Sequence, residues 1–399
     1  MLDMLQTKAG MMLGALLMLA ACGEPVIDGP ACTGLVRPYS PAPDFRGADS
    51  TTDPFVRVLE AQAAQVAGFA VPKTGIPIDV LAMTTGGQYG AFSSGVLTGW
   101  PEGERPKFNI VTGASAGAVI APPAFAGKDF DDRLKGNVGI STKDVLTQRP
   151  FWTLPGSSSL YSTAKLRRRV SDRIDKPLLD AIKGRADTST KGQIVNTVVL
   201  GAVNLDNGKF EVLDIGQYLT VTQDDLAQRK ECLTEAVLAS SAIPVLFPPR
   251  RIGGSLYADA GVRQHVFLER LARAQKFATQ STGRKFDVRV TMLVNGDLVV
   301  NQTEQSAQLI KLAQRNFQLV NDQGFRDSIG RVIRVVEKNK WGFRALMAPR
   351  IPPDTCTSPD PLFDACITNF LFEAGKSMTE TGPIKWLNKD QLKNKINEF

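Results

Sequence analysis

Ser115 lies in the pentapeptide Gly113-Ala114-Ser115-Ala116-Gly117, directly behind the apolar run Phe108 to Thr112. A GxSxG of this kind places a serine hydroxyl on a tight turn between strand and helix, where small neighbours keep the turn free of clashes. The context agrees: the run ahead has strand composition, and Ala116 to Ala121 behind can start a closely packed helix. A serine hydroxyl is a poor nucleophile until a base within hydrogen-bond reach takes its proton, and that base is usually a histidine. The chain of 399 residues has one histidine, His265.

A carboxylate is the other candidate base. Asp259 ends the short strand pattern Ser255 to Tyr257 and is followed by Ala260-Gly261, which leaves backbone space beside it. Taken alone, Asp-Ala-Gly reads as a turn or a helix cap. A third element is Thr85-Gly86-Gly87-Gln88-Tyr89-Gly90, between a buried strand pattern at Ile76 to Thr84 and a helical one at Ala91 to Leu97. Its backbone N–H groups, backed by a helix N-terminus, suit a phosphate or an oxyanion. It lacks the Gly-Lys-Ser/Thr ending of a P-loop, and no acidic residue completes a dinucleotide-binding unit.

In this chain order the glycine loop, GASAG and Asp-Ala-Gly resemble the patatin-like phospholipase family, and the leader described below places the resemblance in its bacterial lipoprotein branch. Ala239-Ser240-Ser241-Ala242-Ile243-Pro244-Val245-Leu246-Phe247-Pro248-Pro249 is similar to the stretch before that family's catalytic aspartate, and the likeness covers residues 76 to 295. The resemblance implies a Ser-Asp dyad that needs no histidine: Ser115 as nucleophile, Asp259 as general base, and the amides of Gly86, Gly87 and Gln88 as oxyanion hole. Four positions depart from the family pattern. Thr85 stands where a glycine is usual and Tyr89 where a cation is, Ala260 replaces a glycine, and His265 takes the place of an asparagine. Ala260 is compatible only with a negative φ, and His265 is expected to be structural.

These residues need a scaffold of alternating elements. Helical patterns cover Ser162 to Ile174, Glu231 to Ser241, His265 to Phe277 and, interrupted near Gly324 and Gly330, Thr303 to Lys338. Strand patterns cover Ile194 to Val203 and Lys209 to Ile215, around an Asp206-Asn207-Gly208 turn, and Val288 to Val294. The expected fold class is α/β: a mostly parallel sheet between helical layers in a single large domain, residues 55–399, patatin-like by the resemblance.

Ala9 to Ala21 is an apolar run behind Lys8, too short to span a bilayer and suited to a signal peptide, residues 1–21. It ends in Leu19-Ala20-Ala21-Cys22-Gly23, which resembles a bacterial lipobox and implies lipidation of Cys22. In a Gram-negative cell Gly23 would further imply the outer membrane, so the expected location is the bacterial cell envelope. Residues 22–54, rich in Pro, Gly, Ala and Asp, are expected to be a tether. Cys32, Cys232, Cys356 and Cys366 remain, an even number that fits an oxidising compartment. Cys356 with Cys366 is the expected pair, leaving Cys32 with Cys232; the other pairings and free thiols remain compatible with the sequence. No CxxC or His-Cys cluster occurs, so neither zinc nor any other cofactor is expected.

The formal charge is +7, with Arg167-Arg168-Arg169, Arg250-Arg251 and a Lys-rich tail that could meet anionic lipid headgroups but read first as solvated helix faces. No aromatic interleaving or module accompanies the charge, and no nucleic-acid partner is expected. By the resemblance, the chain is expected to be a lipid-anchored acyl-ester hydrolase of phospholipase or lysophospholipase type using the Ser-Asp dyad, with lipid or acyl-ester substrates and the membrane surface as partners. Two alternatives fit the same residues: a non-catalytic lipid-anchored binding protein with a degraded site, and an esterase of small soluble esters.

Overall fold

The apolar run expected at Ile76 to Thr84 forms strand β2, Ile76–Met83, buried on both faces from Val80 onward. Ile76, Ile78, Val80 and Ala82 enter one apolar layer, Leu81 and Met83 the other, as the two-residue period of a strand requires. The computed structural model describes residues 29–39, 52–187, 195–298, 309–357, 360 and 362–398. The leader at 1–21 and Cys22 lie outside the described residues.

Five strands run parallel in the order β11 (Gly342–Met347), β10 (Phe286–Val294), β2, β3 (Ile110–Gly113) and β6 (Thr197–Asn204). Antiparallel additions complete the sheet. β7 (Phe210–Asp214) pairs with β6 across the expected Asp206-Asn207-Gly208 turn, and β1 (Val36–Pro38) pairs with β7. β9 (Ser255–Asp259) pairs with both β8 (Arg250–Ile252) and β6. A separate small hairpin joins β4 (Thr147–Gln148) to β5 (Tyr161–Ser162). Helices Gly90–Gly99, Ala116–Ala126 and Leu226–Ser240 pack in one layer, and helices Pro54–Gln65, Glu269–Thr282 and Leu309–Asn339 in the other. The expected α/β class, a mostly parallel sheet between helical layers, is the observed one.

One feature of the register positions the site. Along a single edge of β6, residues Thr197 to Leu200 pair with β3 and residues Ala202 to Asn204 pair with β9. β3 runs parallel to β6 and β9 antiparallel, so their C-terminal ends approach each other from opposite directions. Gly113 sits opposite Leu200 and Asp259 opposite Ala202, an offset of two strand residues, roughly 7 Å.

Three expectations are corrected. Within the tether at 22–54, residues 29–39 belong to the fold: β1 lies at the sheet edge, Leu35 and Tyr39 are buried, and Cys32 is bonded to Cys232. The proline-rich composition concealed this, because an edge strand needs its amide donors on one side only and tolerates Pro38 there. Asp53 and Pro54 also belong to the fold, with Asp53 capping helix Pro54–Gln65 through the amides of Phe55 and Val56. Second, helix Glu269–Thr282 begins four residues later than expected. The His265 amide donates to Ser328 Oγ and its carbonyl accepts from the Thr85 amide, so its backbone is committed to tertiary partners. Third, Leu309–Asn339 is one uninterrupted helix. The His265 ring packs against Gly324, where a Cβ would lie 3.1 Å from Nε2; the glycine marks close approach rather than a break.

Both expected disulfides are present, Cys32–Cys232 and Cys356–Cys366. The first closes a separation of 200 residues, and a crosslink of that span restricts the unfolded chain strongly. Replacing Cys32 and Cys232 together by serine is expected to lower the unfolding free energy by about 4 kcal/mol, measured by urea denaturation. Equal stability of the variant would mean that residues 29–39 are not secured to the domain.

Candidate active site

The GASAG turn forms between β3 and helix Ala116–Ala126, and Ser115 occupies φ 51°, ψ −115°. A non-glycine residue there is strained, typically by about 1–3 kcal/mol, and neighbours without side chains make the turn possible. A Cβ on Gly113 would lie 2.4 Å from the Gly117 carbonyl oxygen, and one on Gly117 would lie 2.7 Å from that of Met83. Two serines from Ala239-Ser240-Ser241-Ala242 clamp the turn: the Ser115 amide donates to Ser240 Oγ at 3.1 Å, and Ser241 Oγ donates to the Ser115 carbonyl at 3.1 Å. The same segment holds β9, because the Asp259 amide donates to the Ala242 carbonyl at 2.9 Å. The composition of this stretch marked it as similar to the family; its bonds to both Ser115 and Asp259 could not be read from sequence.

Asp259 Oδ1 accepts the Gly261 amide at 2.7 Å. Its Oδ2 is buried and has no hydrogen-bond partner. Burial raises the Asp259 pKa from 3.8 to about 6; the neighbouring Ser115 hydroxyl and the Gly261 amide oppose that rise. Ser115 is thus close enough to influence the carboxylate. Ala260 keeps out of the left-handed region, so its methyl fits where a glycine was expected.

The glycine loop folds as a short 3-10 turn, Gly87–Tyr89. The Gly87 and Gln88 amides are at its N-terminus, where donors have no partner within the turn. Gly87, Gln88 and Ser115 line one cleft. Gly86, at φ 148°, packs on Asn295, whose carbonyl oxygen would lie 2.0 Å from a Cβ. Two polar contacts fix the loop from behind. Thr85 Oγ1 and His265 Nδ1 share a 2.6 Å hydrogen bond. Asn295 donates its Nδ2 to the Thr84 carbonyl at 2.9 Å and accepts from Ser93 Oγ at 2.6 Å. Thr85 and His265, two of the four positions that depart from the family pattern, are therefore partners of each other. Burial, and secondly the charge of Arg331, lower the His265 pKa from 6.5 to about 4. Tyr89 is engaged by Asp297, and burial together with that carboxylate raises its pKa. Gln88 Oε1 accepts the Asp364 amide at 2.9 Å, tying the loop to the N-terminus of helix Ala365–Glu380.

The remaining walls of the cleft are largely apolar, including Val119, Ile140, Val145, Ile243 and Phe247. Arg169 and Arg173 also line it. Both guanidiniums donate to the Gly136 carbonyl, and neither is within ion-pair reach of a carboxylate among the described residues. Arg167 and Arg250, by contrast, are paired with Glu235. One group of candidate metal ligands occurs among the described residues, Cys356, Asp364 and Cys366, and its two sulfurs are joined in the disulfide.

Asp259 and His265 affect stability in opposite directions. The folded pKa of Asp259 lies above its ordinary value, so its contribution is fully present below pH 3.8 and lost as pH rises through about 6. The folded pKa of His265 lies below its ordinary value, so its contribution is present above pH 6.5 and lost as pH falls through about 4. Asp259→Asn is expected to raise stability at pH 7 by up to about 3 kcal/mol and to give no such gain at pH 3.5, measured by urea unfolding at both values. A loss of stability at pH 7 would contradict an ionised, costly Asp259.

Residues 81–272 match the family model of the patatin-like phospholipases. No curated protein matches the chain. Among solved structures it is similar to VipD from Legionella pneumophila, with 14% identity and a TM-score of 0.38, over 82% of this chain and 69% of that one. The matched stretch contains the glycine loop, the GASAG turn and Asp259, and members of this family are acyl hydrolases. Residues 81–272 are thus a patatin-like phospholipase domain, of a family whose members are acyl hydrolases.

Proposed function

We propose that the chain hydrolyses phospholipid or lysophospholipid acyl esters through a Ser115–Asp259 dyad. The observation that carries this reading is the buried Asp259 carboxylate, whose Oδ2 has no hydrogen-bond partner and which is influenced by the hydroxyl of a serine on a strained turn. Asp259 takes the Ser115 proton as Oγ attacks the ester carbonyl. The amides of Gly87 and Gln88, with Gly86 ahead of them, face the developing oxyanion; one such donor typically contributes about 3–4 kcal/mol to the barrier. Collapse expels the alcohol, which receives the proton from Asp259 and leaves an acyl-serine. Asp259 then deprotonates water, whose oxygen attacks the acyl carbon, and the proton returns to Ser115 as the carboxylic acid departs.

Arg169 and Arg173 in an otherwise apolar cleft favour an ester with an anionic headgroup over a neutral one. The two disulfides fit an oxidising compartment, and with the lipobox they support a bacterial lipoprotein of the cell envelope, anchored through Cys22 at the outer membrane.

A fluorophosphonate probe is expected to label the folded protein and to leave Ser115→Ala unlabelled; absence of labelling in the unsubstituted chain would favour the non-catalytic alternative. Because Asp259 must be ionised to act as base, kcat/KM on a soluble ester should rise with pH through about 6 and then level off. A flat profile between pH 5 and 8 would exclude Asp259 as the base. Arg169→Gln with Arg173→Gln should raise KM for a lysophospholipid about tenfold or more and leave KM for a neutral short-chain ester unchanged. An equal change on both substrates would assign these arginines to the fold alone.

A further inference from the structure

The wall of the cleft has an outer side. Ile140, Val145, Leu146 and Phe247 form a small apolar cluster on which Tyr161, Leu166 and Ile243 pack. Five of these residues, Ile140, Val145, Leu166, Ile243 and Phe247, also line the cleft. The β4–β5 hairpin is rooted in this cluster, and the Leu160 and Tyr161 amides donate to the Val245 and Leu246 carbonyls. At its tip, Phe151 and Trp152 are 78% and 69% exposed and touch each other edge to face, with ring centroids 5.2 Å apart. Val245, beside the hairpin base, is 68% exposed and held at φ 70°, where a β-branched residue is strained.

Three large apolar groups exposed on one hairpin and its neighbour form a patch of the kind that marks an interaction surface. The surrounding charge indicates the partner. Residues 141 to 170 contain six Lys or Arg and one acidic residue, Asp144. Asp144 is bonded by Ser141, and Arg167 is neutralised by Glu231 and Glu235. Lys143, Lys165 and Arg168 are exposed, with Lys165 Nζ donating to the Lys143 carbonyl. Exposed aromatics in a chain segment whose exposed charges are mostly cations match the boundary of an anionic lipid layer, where rings settle at headgroup depth and cations meet phosphate.

We propose that the Phe151–Trp152 hairpin tip, together with Val245 and the cations Lys143, Lys165 and Arg168, docks the cleft onto an anionic lipid surface. The proposal rests on the hydrolase reading for its purpose, since the docked wall is the wall of the substrate cleft, but its test does not require turnover. Trp152 is exposed, whereas Trp100 and Trp341 are buried and Trp386 half-buried, so a quencher within lipid reports mainly on Trp152.

In the full chain carrying Ser115→Ala, vesicles of dibrominated phosphatidylglycerol should quench tryptophan fluorescence. Adding Trp152→Phe should remove most of that quenching, and dibrominated phosphatidylcholine or 0.5 M salt should weaken it severalfold. Equal quenching with and without Trp152, or equal quenching by the two lipids, would overturn the proposal. Self-association that disappears in Phe151→Ser/Trp152→Ser, without lipid quenching, would assign the patch to a second copy and overturn it equally. On the active chain the same double substitution should lower hydrolysis of anionic vesicles at least tenfold and leave a soluble butyrate ester unaffected. Failure of the unsubstituted chain to label with fluorophosphonate would reject the hydrolase reading while the quenching result stands on its own.

Discussion

The placement of Ser115 beside Asp259 depends on one edge of one strand. β6 gives the first part of its edge to β3 and the remainder to β9, and the two neighbours end facing each other across Gly201. Because hydrogen-bond register fixes both ends, the separation between the Ser115 turn and Asp259 is set by the rigid sheet and not by the loops around it. Gly201 has no room for a side chain, since a Cβ would lie 2.4 Å from the Phe210 ring. Ser240, Ser241 and Ala242 reinforce the junction from the other side by bonding to both participants.

Around that junction the polar groups fall into two sets. Thr84, Thr85, Ser93, His265 and Asn295 are buried and mutually bonded, a network that fixes the loop presenting the Gly87 and Gln88 amides. Asp259 Oδ2 is buried and unbonded. Such an orphan acceptor destabilises a fold by about 1–3 kcal/mol, and the strained Ser115 backbone adds to that burden. Both costs fall on Ser115 and Asp259, the pair proposed to react, while the residues around them are satisfied, the distribution expected where function opposes stability.

Much of the site was legible in sequence because its signals are local. Gly113 to Gly117, Thr85 to Gly90 and Asp259-Ala260-Gly261 each announce a turn within a few residues, and each forms one. The apolar runs of β2, β6 and β10 declared the sheet for the same reason. The unread features depend on distant partners. The role of Asn295 in supporting the glycine loop has no local signal, and the partnership of Thr85 with His265 joins residues 180 apart in the chain. Gly324 looked like a helix break because its neighbour, the His265 ring, lies on another element. Val36 to Pro38 looked like a linker because its strand partner, β7, lies far along the chain.

That last pairing sets an order of assembly. The segment at residues 29–39 emerges from synthesis before the rest of the domain, yet its strand partner β7 and its covalent partner Cys232, 200 residues after Cys32, are made much later. Closing so long a loop pays its entropy before any contact repays it. The first part of the fold to be made therefore has neither its strand partner nor its covalent partner until β7 and Cys232 have been made. Cys232 lies on the helix that ends at Ser240, the residue bonded to the Ser115 amide. The covalent closure of residues 29–39 thus bears on the same helix that supports the Ser115 turn.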